Sequence, residues 1–371
     1  MVGKTSEWNL PIWIASLDLR KAFDRILHEP LFKTLRLQQV PEGYIHLLMV
    51  LYGNQKGSVD GKQFFDISRG VKQGDTLSAM LFNAAIEEAF VQWKSKLTSE
   101  GWLLKESSSR LTNVRYADDM LLFAKSREEL ERMMVSLIEV LEKIGLELNA
   151  SKTKIITNDI HSDNFIMVGT EQISIIEDDG KHKYLGRYIP GVLENRASIE
   201  ISHRIQCAWH QFGKHSSTLT NKNVTIKLRL RLFDSTVTPS ALFGLCALPL
   251  SKQNMMKLMV CQRKMLRKIV GWVRHPGDEW ETVMRNMKSK MNTAMHQFFV
   301  RPWDARIIGA RVKNFERIQL MDDYRWEKLS MQWDPNVVDD ESQEYVPYRN
   351  VGRPILRWTD PVGLIVNEMS I

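Results

Sequence analysis

Residues 115–124 read Arg115-Tyr116-Ala117-Asp118-Asp119-Met120-Leu121-Leu122-Phe123-Ala124, which sets two adjacent carboxylates between a polar flank and an apolar one. The residues leading in (RLTNVRY) and out (MLLFA) each have the composition of a short β-strand, so the acids fall where a hairpin would turn. Asp is an ordinary turn residue, yet Asp-Asp lacks the Gly that the tightest hairpin turns favour. On extended backbone the two side chains point to opposite faces, so one aims at a site and the other sits at its edge or in the turn.

A partner acid stands far upstream. Residues 11–19 (PIWIASLDL) read as a buried strand that ends on Asp18, where an unpaired carboxylate has no structural reason to be. Acids at the ends of two strands suit Mg²⁺, which takes hard oxygen ligands, often one or two carboxylates completed by substrate phosphates and water. Two such ions a few ångströms apart can activate a 3′-hydroxyl and stabilise a departing pyrophosphate. Asp18 and Asp118 read as the primary pair, with Asp119 accessory. Asp24, six positions on, reads as a helix-cap or salt-bridge residue.

The rest of residues 1–190 alternates strand and helix patterns with antiparallel hairpins, which makes the class α+β. Pro30 and Pro41 each open a helix, and GSVDGKQFFDIS forms two strands around Asp60-Gly61. The loop RGVKQGDT leads into the helical LSAMLFNAAIEEAFVQWKSKL. Ser126 and Glu129 form a capping box for an amphipathic helix that stops at Gly145. Short strands follow through KTKIITN, NFIMVG, QISIIE and HKYLGRYI. Past the Pro190-Gly191 step the pattern turns helical and basic, then proline-punctuated and acidic around WDPNVVDDESQEYVPYRNVGRP.

The 371 residues are 43% hydrophobic and 26% charged, which is ordinary globular usage and enough for two or three domains. The net charge of +7 is regional: from Arg196 to Lys313 there are 21 Lys and Arg against 6 Asp and Glu, so an anionic partner is expected there. Cys207, Cys246 and Cys261 lie too far apart for a disulfide framework. With no secretion signal and no apolar run near membrane length, the expectation is an intracellular protein, nuclear or cytoplasmic, with no membrane partner. Cys207, His210 and His215 could suggest zinc, but a fourth ligand at a recognised spacing is missing.

The blocks LDLRKAFD, GVKQGDTLSAMLFN, YADD, GLELNASKTK and KYLGRYI, in that order over residues 12–189, resemble the palm of a reverse transcriptase, most closely the non-LTR (LINE-type) retrotransposon branch. The resemblance implies a palm with an antiparallel sheet and packed helices over residues 1–190, a basic helical thumb over 191–300, and a C-terminal extension, partly loop, over 301–371. It implies RNA-directed DNA polymerase activity using two Mg²⁺ ions, for which Mn²⁺ could substitute. Its partners would be an RNA template, a DNA primer and deoxynucleoside triphosphates. Asp18, Asp118 and Asp119 would hold metal, and Lys152, preceded by Asn149, would protonate pyrophosphate. Phe23 matches the aromatic gate that crowds a ribose 2′-hydroxyl, although a core Phe on an amphipathic turn reads equally well. Gln73 and Gly74 match the loop at the incoming nucleotide, where Gly permits close approach. Tyr184, Leu185 and Gly186 resemble the hairpin that grips the primer, with Tyr116 packed beneath the primer terminus.

Arg263, Lys264, Arg267 and Lys268 share one helix face, opposite Met265, Ile269 and Trp272, and fit the thumb's phosphate-binding row. The segment GRPILRWTD resembles one found after the thumb, with no role that its residues reveal. Only seventeen residues precede Asp18, where the family carries fingers. The expectation is therefore a truncated copy or one fragment of a larger polyprotein. The alternatives are an inactive remnant that only binds primer-template, or a group II intron maturase or viral RNA polymerase. Phe23 argues against ribonucleotide use.

Overall fold

The computed structural model describes residues 1–371 except 54, 60, 107–108, 160–162, 272–275, 336–347, 350–355 and 361–371. A short helix, α1 (Val2–Glu7), precedes β1 (Trp13–Leu17), which is buried at all five positions. Burial on both faces matches an interior strand, and the apolar run of residues 11–19 has that composition. Helices α2 (Ala22–Arg25), α3 (His28–Leu37) and α4 (Glu42–Gly53) follow, then the hairpin β2 (Lys56–Val59) and β3 (Gln63–Asp66). Asp60, expected at that turn, lies outside the described residues. Asp75 caps α5 (Thr76–Lys94), its carboxylate accepting from Leu77 N–H at 3.1 Å.

The hairpin β4 (Asn113–Tyr116) and β5 (Asp119–Ala124) leads into α6 (Arg127–Lys143), β6 (Lys154–Thr157), a second hairpin β7 (Phe165–Val168) and β8 (Glu171–Ser174), and strands β9 (Lys181–Tyr184) and β10 (Arg187–Pro190). The central sheet runs β4-β5-β1-β6 and its pairs are antiparallel. One core holds Trp13, Phe82, Phe90, Trp93, Met120, Leu137 and Ile155. Trp93 Nε1 donates to Met133 O at 3.1 Å and Ser136 Oγ at 3.0 Å, fastening α5 to α6.

The Ser126 cap is present in half. Ser126 Oγ accepts from Glu129 N–H at 3.2 Å, but the Glu129 carboxylate does not return to Ser126. Instead it is buried and accepts from Gly101 N–H at 2.5 Å and Lys125 N–H at 2.7 Å. Burial pushes this carboxyl above the usual range, against the pull of those two amides. Asp24 also departs from expectation: it sits inside α2, exposed, and its side chain makes no hydrogen bond or ion pair among the described residues.

The chain divides into two compact units, Met1–Leu185 with Ile189–Leu193 and Gln332–Asn350, and Gly186–Tyr188 with Glu194–Met331 and Val351–Ile371. The second contains α7 (Arg196–Lys214), α8 (Ser216–Leu219), α9 (Ile226–Leu232), α10 (Thr238–Leu242), α11 (Lys252–Val270), α12 (Trp280–Gln297), α13 (Trp303–Gln319) and most of α14 (Trp326–Gln332). A π-turn at Phe233–Val237 joins α9 to α10 just before Pro239, whose ring nitrogen cannot donate to the preceding turn. The break expected at residue 300 falls inside this unit. Trp303 is fully buried, stacks on Phe233 with centroids 6.1 Å apart, and donates to Thr238 Oγ1 at 3.1 Å. Residues 332–350 belong to the first unit instead: Trp333 packs edge-on against Trp102 at 5.4 Å, and Arg349 pairs with Glu7 at 2.9 Å.

Gly145 ends α6 at φ +84°, and a Cβ there would lie 2.7 Å from the Arg25 carbonyl oxygen. Gly145→Ala is expected to destabilise the fold by about 1–3 kcal/mol. Urea unfolding checks this, and an unchanged midpoint would show that the turn can relax.

Candidate active site

The geometry starts with strand register. Antiparallel pairing of β1 with β5 runs from Trp13↔Ala124 to Leu17↔Met120. One further step of that register sets Asp18 opposite Asp119, and directly opposed residues project from the same face of a sheet. On the other side of β5, pairing with β4 ends at Tyr116↔Asp119, which leaves Ala117 and Asp118 as a two-residue loop. Ala117 holds φ +53°, a left-handed conformation that costs energy for a residue with a Cβ and is enriched at functional turns. The register separates the two acids without ranking them as ligands. Asp119 takes the strand position facing Asp18, while Asp118 occupies the turn, because the loop is only two residues long.

Asp18 is held from one side. Its N–H donates to Thr153 Oγ1 at 3.2 Å, and its carbonyl accepts from Asn149 N–H at 2.8 Å. Its Oδ2 accepts from Asn149 Nδ2 at 2.9 Å, while Asn149 Oδ1 accepts from Ser151 Oγ at 2.8 Å. Thr153 is fully buried, so the support is part of the core. The turn that carries Asn149 and Thr153 also carries Lys152, which is exposed.

The charges interact. The Asp119 carboxyl is raised above the ordinary range by burial, then by the charges of Asp118 and Asp18. Tyr184 on β9 belongs to the same neighbourhood. Burial and the charge of Asp119 push its phenol up to about 12, and its hydroxyl is buried with no hydrogen-bond partner among the described residues. His182, two positions earlier and so on the same face of the strand, meets Ser16 Oγ at 2.9 Å. Burial and Lys154 lower its pKa, while Asp18 opposes them. Neither the contact of His182 with Ser16 nor the bond between Asn149 and Asp18 is readable from the sequence. The period-two spacing of His182 and Tyr184 signals only a shared strand face.

Phe23 is half-buried on α2, its ring stacked on Phe82 with centroids 4.5 Å apart and planes 17° off parallel. The core reading of that residue is thus realised in part. Gln73 and Gly74 are exposed in the loop before α5, and Gly74 has φ +92° with no atom within 4 Å of where a Cβ would stand. Tyr116 is 69% exposed. The turn between β9 and β10 carries Leu185 at φ +45° and Gly186 at φ +75°.

In the second unit Arg263, Lys264 and Lys268 are exposed on α11, and Met265 and Ile269 are buried on the opposite side. Arg267 departs from the row: it is half-buried, and its Nε has no hydrogen-bond partner among the described residues. Lys268 Nζ lies 5.3 Å from the centroid of the Trp209 ring. Trp272 lies outside the described residues. Cys207 Sγ is 3.6 Å from His203 Nε2, a residue not among the three considered for zinc. Among the described residues, no three His, Cys, Asp or Glu side chains gather closely enough to hold an ion by themselves. No described helix is long and apolar enough to cross a membrane.

Residues 5–189 match the family described as reverse transcriptase (RNA-dependent DNA polymerase). The chain is 30% identical over 188 residues to the retrovirus-related Pol polyprotein of the type-2 retrotransposable element R2DM from Drosophila melanogaster, covering 47% of this chain and 17% of that one. It is 27% identical over 290 residues to the Pol polyprotein of a type-1 element R2 from Bradysia coprophila, covering 75% and 31%. An uncharacterized transposon-derived protein from Caenorhabditis elegans is 27% identical over 262 residues, covering 69% and 86%. The chain thus spans less than a third of either polyprotein.

A carboxyl raised above its ordinary pKa supports folding while it is protonated, and that contribution is lost as pH rises through the folded value. Asp119→Asn is therefore expected to raise the melting temperature of the metal-free chain at neutral pH and to have no such effect at about pH 3, below the ordinary Asp value. Melting curves at both pH values decide it. A loss of stability at neutral pH would show that the charge is not strained.

Proposed function

Because this chain belongs, over residues 5–189, to the reverse transcriptase (RNA-dependent DNA polymerase) family and within it to the non-LTR retrotransposon branch, we propose that it is the core of an RNA-directed DNA polymerase. It would extend a primer 3′-hydroxyl with deoxynucleotides on an RNA template. One observation carries the reading. Asp18, one residue past β1, and Asp119, the first residue of β5, stand at the same end of one sheet near enough for their charges to interact, with Asp118 in the turn before β5.

The donor set fits divalent metal. Hard carboxylate oxygens that repel one another gain from a cation between them, and Mg²⁺ needs only one or two carboxylates because phosphates and water complete its shell. Asp18, Asp119 and Asp118 would hold it. When bound, such ions activate the attacking hydroxyl and stabilise the pyrophosphate that leaves. Asn149 and Thr153 keep Asp18 aimed outward from the end of β1. Lys152, exposed on the same turn, is the candidate donor of a proton to pyrophosphate. Phe23 is braced by Phe82, which would let its ring edge act as a fixed wall beside the sugar. Gln73 and Gly74 would meet the incoming nucleotide, and the open space around Gly74 suits that role.

Tyr184, Leu185 and Gly186 would contact the primer through the turn between β9 and β10, where Leu185 and Gly186 are exposed. Tyr116, exposed beside the Asp-Asp turn, is available to the primer terminus. Arg263, Lys264 and Lys268, with Arg267 nearer the core, would neutralise phosphates, a sequence-independent contribution that weakens with salt. In this reading residues 1–190 are the palm and the basic helices the thumb.

Asp118→Ala and Asp119→Ala are each expected to abolish primer extension, leaving duplex affinity within about twofold, because phosphate contacts set that affinity. Extension assays with Mg²⁺ and deoxynucleotides read this out, and full activity in either variant would refute its metal role. Lys264→Ala should weaken duplex binding and reduce the salt slope by about one. Salt-sensitive binding without extension by the parent would select a binding-only chain instead.

A further inference from the structure

Helix α7 buries a complete ion pair. Glu200 and Arg204 stand one turn apart with side chains 1% and 7% exposed, and Arg204 Nε donates to Glu200 Oε1 at 2.5 Å. Burying two charges is costly, and their attraction seldom returns more than that cost, so stability alone is a weak reason for such a pair. The remaining hydrogen bonds suggest a better one. Arg204 Nη2 donates to the Gly186 carbonyl, and Glu200 Oε2 accepts from Tyr188 N–H at 3.0 Å. Both bonds end on the backbone of one three-residue stretch.

The surroundings reinforce that grip. The Arg204 guanidinium lies 4.9 Å from the Phe243 ring centroid. The Tyr188 ring packs edge-on against His203, the residue before Arg204, with centroids 4.5 Å apart. Leu185, just before Gly186, has φ +45°, a conformation that a residue with a Cβ keeps only where its surroundings impose it. Arg187 is half-buried within reach of the charges of both Glu200 and Arg204. A single carboxylate therefore balances more than one guanidinium, and its loss would strand positive charge.

We infer that Glu200 and Arg204 are positioning residues that clamp the backbone at 186–188, and so set how the Tyr184–Gly186 turn is presented to a primer. The inference rests on the proposed reading of that turn as a primer contact. The pair itself touches no substrate. Its carboxylate and guanidinium are spent on two backbone groups, one an acceptor and one a donor, two residues apart.

The experiment uses the full 371-residue chain and replaces the pair by apolar side chains of similar size, Glu200→Leu with Arg204→Met, alongside Arg204→Lys, which keeps the charge but loses the fork. The double variant is expected to melt a few degrees below the parent, because Arg187 loses a carboxylate and two backbone groups lose their partners, so both readouts are taken at a temperature where parent and variant are fully folded. Amide exchange of the 186–188 segment should accelerate about tenfold, reporting loss of the clamp. Primer KM should rise about tenfold with kcat within about twofold, the mark of lost binding rather than lost chemistry. Arg204→Lys should fall between parent and double variant in both readouts. Unchanged exchange and KM would overturn the inference. So would a fall in melting temperature with kcat and KM equally damaged, which is what a purely structural role produces. If the parent itself extends no primer, the polymerase reading fails, and exchange at 186–188 still decides whether the clamp exists.

Discussion

The antiparallel register between β1 and β5 is the constraint on which everything else depends. It brings Asp18 and Asp119, about a hundred positions apart in the chain, to one end of one sheet. The side-chain period of a strand is two, so a slip of one residue would send Asp119, with every other side chain of β5, to the opposite face and break the site. What prevents the slip is burial. Every residue of β1 and all but the first of β5 lie inside the core, and a shifted register would expose several of them. The apolar residues before Asp18 and after Asp119 thus serve a chemical purpose: they hold the acids at one end of the sheet, where burial first, and then the charges of Asp118 and Asp18, push the Asp119 carboxyl up.

Around the acids, local rules are broken in a consistent way. Ala117 takes a left-handed backbone that a residue with a Cβ disfavours, Leu185 does the same on the neighbouring turn, and Tyr184 hides a hydroxyl without a hydrogen-bond partner among the described residues. Each of these costs something, and such costs concentrate where a site must be held in a set shape. Support comes from ordinary residues. Asn149 and Thr153 fix Asp18 through its backbone and one carboxylate oxygen, so the acid is aimed before any ligand arrives.

Much of this was legible beforehand, for identifiable reasons. The strands carrying the acids announce themselves by apolar runs, and α5 and α6 by helical periodicity and cap residues, all local signals. The partners of those residues are not local. Glu129 looked like half of a capping box, yet its carboxylate turns away to Gly101 and Lys125, a choice set by tertiary burial. That Asp119 opens β5 while Asp118 sits in the turn depends on a loop of only two residues, and turn length is invisible until the last strand pair is known. His182 was passed over because a lone histidine in a short strand resembles any other. Arg267 has the spacing of a phosphate-binding row but leans into the core. The boundary at residue 300 followed a change in composition, whereas Trp303 ties the next helix into the same core.

The return of residues 332–350 to the first unit has a consequence for how the protein is made. The helical unit is an excursion of the chain between two passes through its neighbour, and Trp333 and Arg349 reach Trp102 and Glu7 only on the second pass. During synthesis the sheet that carries the acids can assemble early, but its closing contacts must wait until Trp333 and Arg349 have left the ribosome. The nascent first unit therefore spends the interval with Trp102 uncovered, a window in which a chaperone or another chain could bind the aromatic surface that Trp333 later seals.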